Sequence, residues 1–243
     1  MALDKALAQA RRMADEGADI IDVGGESTRP GAAQVSEQQE LERVIPVIRA
    51  IAGELSIVVS VDTSKATVMR EAVAAGAGLV NDVMALRAPG ALEAARDSGV
   101  PVCLMHMQGE PRTMQKRPQY RDVVQEVDEF LAQRVAACEA MGIGRDRLLL
   151  DPGFGFGKTL EHNLCLLKNL GSLTDRKLPV LVGISRKSMI GAILDEAALE
   201  ERLYGSLAAA VMAVERGASI VRVHDVKPTV DALRVTTAVL QKG

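Results

Sequence analysis

The sequence predicts an α/β protein built as a (β/α)8 barrel. Amphipathic helical patterns and short apolar strand patterns alternate along its 243 residues, which implies parallel strands with right-handed crossovers. Polar side chains concentrate at the C-terminal ends of the predicted strands. A ring of such ends around one mouth is typical of a barrel, whereas a doubly wound sheet would gather them at one switch point. The apolar fraction, 48%, suffices for the core of one barrel domain.

Eight helices and seven strands are predicted in order. The first helix covers 3–16, where apolar residues recur at steps of three and four. Further helices are expected near 36–52, 64–75, 90–98, 121–141, 160–170, 200–216 and 228–241, and strands near 18–23, 57–62, 79–83, 101–106, 148–151, 179–183 and 220–224. Four of the helices are expected to end at a glycine in the left-handed C-cap conformation, namely Gly17, Gly76, Gly99 and Gly217.

The first predicted element is a helix, whereas a barrel of this type begins with a strand. We therefore expect residues 1–243 to form a single barrel domain that lacks its N-terminal strand and loop. Seven strands would leave parallel edges unpaired. The natural protein is expected to carry roughly 20 to 40 further residues, the reach of one strand and loop, unless a segment of another copy closes the barrel.

Composition excludes several classes of function. The formal net charge is −3, with 25% charged residues, so neither nucleic acid nor a membrane surface is an expected partner. Three distant cysteines, Cys103, Cys138 and Cys165, suggest neither a disulfide framework nor a zinc site. No export signal or run of eighteen apolar residues is present. We expect a cytoplasmic protein.

Carboxylates and an amide end three of the predicted strands, at Asp62, Asn81 and Asp151. A carboxylate in a deep mouth is costly unless it meets a donor. A ligand with several N–H groups would supply that donor. Asp22 and Asp82 also end strands, but each could instead cap its own loop.

Arg222 and His224 lie two residues apart on the last predicted strand, so both should point to one side. Val221 and Val223 make the other side apolar, which favours an anion site in the mouth over a solvated charge pair outside. Two other motifs are set aside. The segment 153–159 is not a phosphate loop, because Pro152 stands where glycine is required. His106 and His162 lack metal-ligand spacing, and His162 is expected at the surface.

Five segments together resemble the dihydropteroate synthase family, the sulfonamide targets of folate synthesis. They are 22–31 (DVGGESTRPG), 61–65 (VDTSK), 151–158 (DPGFGFGK), 183–188 (GISRKS) and 222–224 (RVH). Any one would be a weak signal, but their order on successive strand ends is highly specific. The resemblance runs from the first helix to the C-terminus.

The resemblance implies condensation of a dihydropterin diphosphate with 4-aminobenzoate, with Mg²⁺ as cofactor, sulfonamide inhibition and a homodimer. It assigns the pterin to Asp62, Asn81, Met105, Asp151 and Lys187, the diphosphate to Thr28, Arg222 and His224, and the aminobenzoate to Arg29, Pro30, Phe156 and Ser188. A helix N-terminus at Ser188 would suit the aminobenzoate carboxylate, although Ser188 could be a simple helix cap. The family's magnesium-binding Asn belongs to the missing N-terminal segment, so no metal ligand is predicted.

Two other functions remain open. A cobalamin-dependent, pterin-binding methyltransferase domain would share the barrel and the pterin contacts but would need no aminobenzoate pocket. The segments 27–30 and 185–188 therefore favour the synthase. A non-catalytic paralogue that binds pterins is the other alternative, and a diphosphate-release assay would separate all three.

Overall fold

A computed structural model of the chain describes residues 2–28, 31–109 and 113–241. Within them, strands and helices alternate as the sequence predicts. The strands are β1 Ile20–Gly24, β2 Val58–Asp62, β3 Leu79–Asp82, β4 Val102–Met105, β5 Leu148–Asp151, β6 Leu181–Val182 and β7 Ile220–Val221. The helices are α1 Ala2–Asp15, α2 Glu37–Glu54, α3 Ala66–Ala74, α4 Ala91–Ser98, α5 Val123–Ala140, α6 Leu160–Lys168, α7 Gly171–Thr174, α8 Ser188–Ile193, α9 Leu203–Glu215 and α10 Val226–Leu240.

The predicted count of eight helices is wrong for the described part of the chain, because apolar periodicity does not reveal the short helices α7 and α8. Four and six residues are too few to repeat an apolar spacing. The helix expected from residue 200 begins instead as the 3-10 turn Leu199–Arg202 and becomes α-helical at Leu203. All four predicted C-cap glycines have positive φ angles, as expected.

The strands follow the order of a parallel barrel. β1 to β5 pair in sequence order, β6 pairs with β7, and all of these pairs are parallel. A parallel bridge between Leu150 and Val180 joins the two sheets. β1 and β7 do not pair with each other, and a cavity of about 560 Å³ lies between them. The barrel prediction is confirmed with seven strands in the described ranges, and the expected further N-terminal strand stays a prediction.

Strand alternation divides the side chains into two layers. Val61, Val80 and Leu150 belong to the large core between strands and helices. Leu79, Cys103, Leu149 and Leu181 form a separate cluster inside the barrel. Because side chains two apart on a strand share a face, the residues that follow in this inner layer, Asn81, Met105 and Asp151, also point inward. The fold thereby places three residues that are predicted to contact the pterin at the C-terminal mouth of the barrel.

No helix in the described ranges is long and apolar enough to cross a lipid bilayer.

Candidate active site

Asp62 lies at the end of β2, in register with Asn81 of β3 and Gly24 of β1. Its side chain is only 13% exposed. Burial raises the pKa of Asp62 to about 7, the neighbouring carboxylate of Asp22 adds to this rise, and Arg222 opposes it. Asp62 therefore changes charge near neutral pH.

Several polar atoms around Asp62 are buried without a hydrogen-bond partner within the described chain. Oδ1 of Asn81, Oδ1 of Asp22 and Oγ of Ser60 are among them. These three residues occupy inward positions on β3, β1 and β2. Buried polar atoms without partners are rare in native proteins. A ligand with N–H groups at this place would supply the missing donors.

Asp151 ends β5 and is 6% exposed. Its Oδ1 atom accepts a hydrogen bond of 2.7 Å from the backbone N–H of Gly153. Burial raises the pKa of Asp151, while the positive charge of Lys187 and the Gly153 hydrogen bond oppose that rise.

Lys187 reaches the same region from the loop between β6 and α8. Its Nζ atom donates to the carbonyl of Phe154 and lies 4.6 Å from the ring centroid of Phe156. Burial lowers the pKa of Lys187 to about 8, although Asp151 opposes this shift. Met105 is in register with Asp151 and belongs to the apolar cluster against which Phe156 packs. The site thus combines buried acceptors, one cation and an apolar wall.

The anion site predicted at Arg222 and His224 needs a correction. Both residues follow β7, which ends at Val221, so neither lies on a strand. Arg222 donates from Nε to Asp22 at 2.6 Å and from Nη2 to Asp62 at 3.4 Å. The Nδ1 atom of His224 lies 3.1 Å from the hydroxyl of Ser185. Burial would lower the pKa of Arg222, but the two carboxylates raise it overall. Its side chain is still 46% exposed, so some of its N–H groups can reach a ligand.

Thr28 lies beside Asp62 along a cavity of about 380 Å³ that includes Glu26 and Lys65. Lys65 forms ion pairs with both Glu26 and the buried Glu40 of α2. The start of the loop is therefore fastened to the barrel. The predicted aminobenzoate residues Arg29 and Pro30 lie outside the described residues.

The remaining predictions can be placed individually. Ser188 is exposed at the first position of the six-residue helix α8. Asp82 accepts hydrogen bonds from the backbone N–H groups of Met84 and Leu86. It therefore caps its own loop, which is one of the roles that the sequence leaves open for it. Asp22 instead pairs with Arg222. His162 is half-buried and completes the N-terminal cap of α6 with Thr159.

Sequence analysis missed two buried charged residues, Glu40 and Lys158, which are 1% and 3% exposed. A signal for Glu40 existed, because it continues the apolar stripe of Val44, Ile48 and Ile51 along α2. A carboxylate on a buried stripe needs a partner, here Lys65. Lys158 ends the segment 151–158 that carries the family resemblance, but no local pattern in the sequence indicates that its side chain is buried.

The described residues do not suit a protein-bound metal ion. No group of three or more His, Cys, Asp or Glu side chains in these ranges could hold one. Asp22 and Asp62, the carboxylates nearest to the predicted diphosphate site, are already paired with Arg222.

The mouth of this parallel barrel brings together buried carboxylates, an amide and a lysine, with an exposed arginine beside them. These features define a class of enzymes that bind a flat, nitrogen-rich ligand with an anionic tail. The chain belongs to the family described as pterin binding enzymes, whose model matches residues 1–224.

Relatives within this family are dihydropteroate synthases. The chain is 57% identical to the Escherichia coli K12 enzyme over 235 residues, which cover 97% of this chain and 83% of that protein. It is 54% identical to the Haemophilus influenzae enzyme over 236 residues, covering 97% and 86%. The Yersinia pestis dihydropteroate synthase in complex with a sulfonamide drug superposes with a TM-score of 0.97 at 53% identity, covering 98% and 86% of the two chains. The Xanthomonas albilineans enzyme with 4-aminobenzoic acid gives 0.94 at 52%, covering 98% and 85%.

Proposed function

We propose that this protein condenses (7,8-dihydropterin-6-yl)methyl diphosphate with 4-aminobenzoate, giving 7,8-dihydropteroate and diphosphate in folate synthesis. The observation that carries this function is the meeting of Asp62, Asn81 and Asp151 at one barrel mouth with Lys187 and Arg222. The named relatives, and the solved neighbours with a sulfonamide and with 4-aminobenzoic acid, support the same reaction.

The inner layer of the barrel would hold the pterin. Its aminopyrimidinone edge carries N–H donors, which match the unpartnered Oδ1 of Asn81 and the buried carboxylates of Asp62 and Asp151. Lys187 would donate to a ring acceptor, since its ammonium already lies in the field of Asp151. Met105 and Phe156 would flank the flat heterocycle through their shared apolar cluster.

Arg222, His224 and Thr28 would hold the diphosphate. The bond between the exocyclic methylene carbon and the diphosphate oxygen breaks, and the leaving group takes the electron pair. The amine of 4-aminobenzoate then forms the C–N bond with its lone pair and releases one proton. Because an aryl amine is unprotonated at neutral pH, positioning and charge stabilisation matter more than a strong base. Arg222 supplies that charge at the mouth.

The aminobenzoate would lie on the outer side of the pterin, against the ring of Phe156. Ser188 would receive the carboxylate of the aminobenzoate, and Arg29 and Pro30, from the segment after β1, would cover the aminobenzoate. Sulfonamides, as aminobenzoate analogues, would compete for this place. Ser188 is exposed and close in sequence to Lys187, which supports one continuous site.

Magnesium is proposed only as an ion carried by the diphosphate oxygens. The described side chains contribute no ligand cluster, so the reaction above is derived without a step that depends on the metal.

A homodimer and a cytoplasmic location are also part of this proposal. Large apolar side chains are exposed on the neighbouring helices α9 and α10: Tyr204, Met212, Val235, Val239 and Leu240. Such a patch supports association with a second copy. Sedimentation should show a dimer, and Val239→Glu should shift it to a monomer; a monomeric parent would contradict the assignment. The free thiol of the exposed Cys165 supports a reducing compartment.

The function is tested in two steps. Calorimetry with the dihydropterin diphosphate should show binding, and addition of 4-aminobenzoate should release diphosphate. Lys187→Ala should lose turnover, whereas Lys168→Ala, at an exposed position on α6, should keep it. Binding without release would support a non-catalytic pterin binder, and transfer of a methyl group from a methylated pterin would support the methyltransferase.

A further inference from the structure

Lys158 is a buried amino group beneath the loop that follows β5, and burial lowers its pKa well below the ordinary value, although Asp151 opposes this shift. It is 3% exposed. Its Nζ atom lies 2.9 Å from Nδ1 of His106, 2.9 Å from the carbonyl of Gly153 and 3.1 Å from the carbonyl of Phe156. The two carbonyls can only accept hydrogen bonds, so Nζ donates to both of them. None of the three partners is a carboxylate, so Lys158 does not serve as half of a structural ion pair.

His106 is a buried hydrogen-bond partner of this lysine. Its ring is 5% exposed, with the edge of Phe130 at 4.9 Å between centroids. Burial, with Lys158 nearby, lowers the pKa of His106 to about 2, so the ring is neutral. Nδ1 and the Lys158 Nζ atom share one hydrogen bond, whose direction follows the tautomer of the ring. The backbone N–H of His106 also donates to the carbonyl of Asp151 at 2.9 Å.

The two carbonyls that Lys158 holds control two predicted ligand contacts. Gly153 accepts from Lys158 and from the N–H of Phe156 at 3.1 Å, which closes a tight turn. The N–H of the same Gly153 orients the carboxylate of Asp151. At the other end of the turn, the ring of Phe156 stands against Lys187. Gly153 has a φ of 69°, and a Cβ there would lie 1.9 Å from the His106 carbonyl, so only glycine fits at this position of the turn.

We infer that Lys158 is a positioning residue: its amino group holds the turn 153–156 so that Asp151 and Phe156 are preorganised for the pterin and the aminobenzoate. This inference rests on the proposed function for the identity of the two ligands. Lys158 touches neither ligand. It acts through the backbone of Gly153 and Phe156, a role that no strand-end motif could reveal.

The N–H donors of the Lys158 amino group are required for this role. Methionine has a similar length but would leave two buried carbonyls without donors and the His106 nitrogen without its partner, and such groups are expensive to leave unsatisfied. Glutamine keeps two N–H donors and no charge. Arginine is a poor substitute because its planar fork cannot meet three partners that converge on one point.

The test compares Lys158→Met and Lys158→Gln with the matched control Lys168→Met on the exposed side of α6. Pterin binding is measured by calorimetry, turnover by diphosphate release, and folding by thermal melts. We expect Lys158→Met to weaken pterin binding at least 10-fold per folded molecule and to raise the KM for 4-aminobenzoate. Lys158→Gln should lie between it and the parent, and Lys168→Met should match the parent.

A spectroscopic readout separates positioning from a general loss of stability. The ¹⁵N spectrum of His106 should show one tautomer in the parent, because Nδ1 has a fixed partner in Lys158, and a mixture of tautomers in Lys158→Met. Unchanged binding and KM in Lys158→Met, or losses in both variants that only follow the loss of folded protein, would overturn the inference. A parent that binds pterin but releases no diphosphate would refute the proposed reaction, while the effect of Lys158 on pterin binding would still be decided by calorimetry.

Discussion

The two sides of the barrel mouth are built differently. On the side of β2 to β5, strands of four or five residues pair in one continuous sheet, and Asn81, Met105 and Asp151 are nearly inaccessible. On the other side, β6 and β7 have two residues each, and Arg222 and His224 follow the strand in exposed positions. Rigid, buried acceptors suit recognition of a heterocycle, and exposed cations suit a charged group that must leave. The comparison predicts that substitutions on the side of β2 to β5 mainly weaken pterin binding. Substitutions on the side of β6 and β7 should mainly lower turnover.

The largest effect is expected on the buried side, from Asp151→Asn. The amide keeps the shape but loses the charge that faces Lys187 and the ligand. Hydrogen bonds to a charged group are worth about 1.5–3 kcal/mol each, so two weakened bonds predict a loss of about 100-fold in kcat/KM. Calorimetry should show that most of this loss is in pterin affinity. The exposed Asp175→Asn is the control, and equal pterin affinity in the two variants would contradict the predicted role.

On the exposed side, Arg222→Met should mainly lower kcat. Removing one group that stabilises developing charge costs about 2.7–4 kcal/mol in buried sites. Because this side chain is 46% exposed, solvent screening reduces the effect, so we expect about a 30-fold loss. Affinity for a pterin without diphosphate should change less than about 3-fold. The exposed Arg121→Met serves as a control. A variant with unchanged kcat but weak pterin affinity would reverse the proposed division of labour.

How far the sequence predicts this molecule also differs between the two sides. Strand alternation and turn chemistry suffice to place Asn81 and Asp151 in one inner layer, because both depend on neighbours in the chain. The pairing of Arg222 with Asp22 joins residues 200 positions apart and depends on how the ends of β1 and β7 approach each other. No local pattern encodes that distance. The same holds for Lys158 and His106, which meet across 52 positions.

The smallest expected effect is the pH dependence caused by Asp62, which lies where the two sides meet. Its pKa of about 7 means that the ionised acceptor is lost as the pH falls. Between pH 8 and pH 6.5 the ionised fraction should fall about 4-fold, and the KM for the pterin diphosphate should rise by a similar factor. Asp62→Asn should remove this dependence. A KM that is flat in the parent over the same range would contradict the assignment.

The ionised form of Asp62 is expected to favour pterin binding but to disfavour folding, so protein stability should change with pH in the opposite direction to pterin affinity. Between its ordinary value of 3.8 and about 7, the folded state holds a proton that the unfolded state has released, so this group lowers the free energy of unfolding as the pH rises. Asp62→Asn lacks that penalty. Its melting temperature relative to the parent should therefore increase from pH 5 to pH 8, while its pterin affinity at pH 8 is reduced. A constant difference in melting temperature would show that Arg222 already compensates the buried charge in full. In that case the two sides of the mouth would be coupled rather than independent.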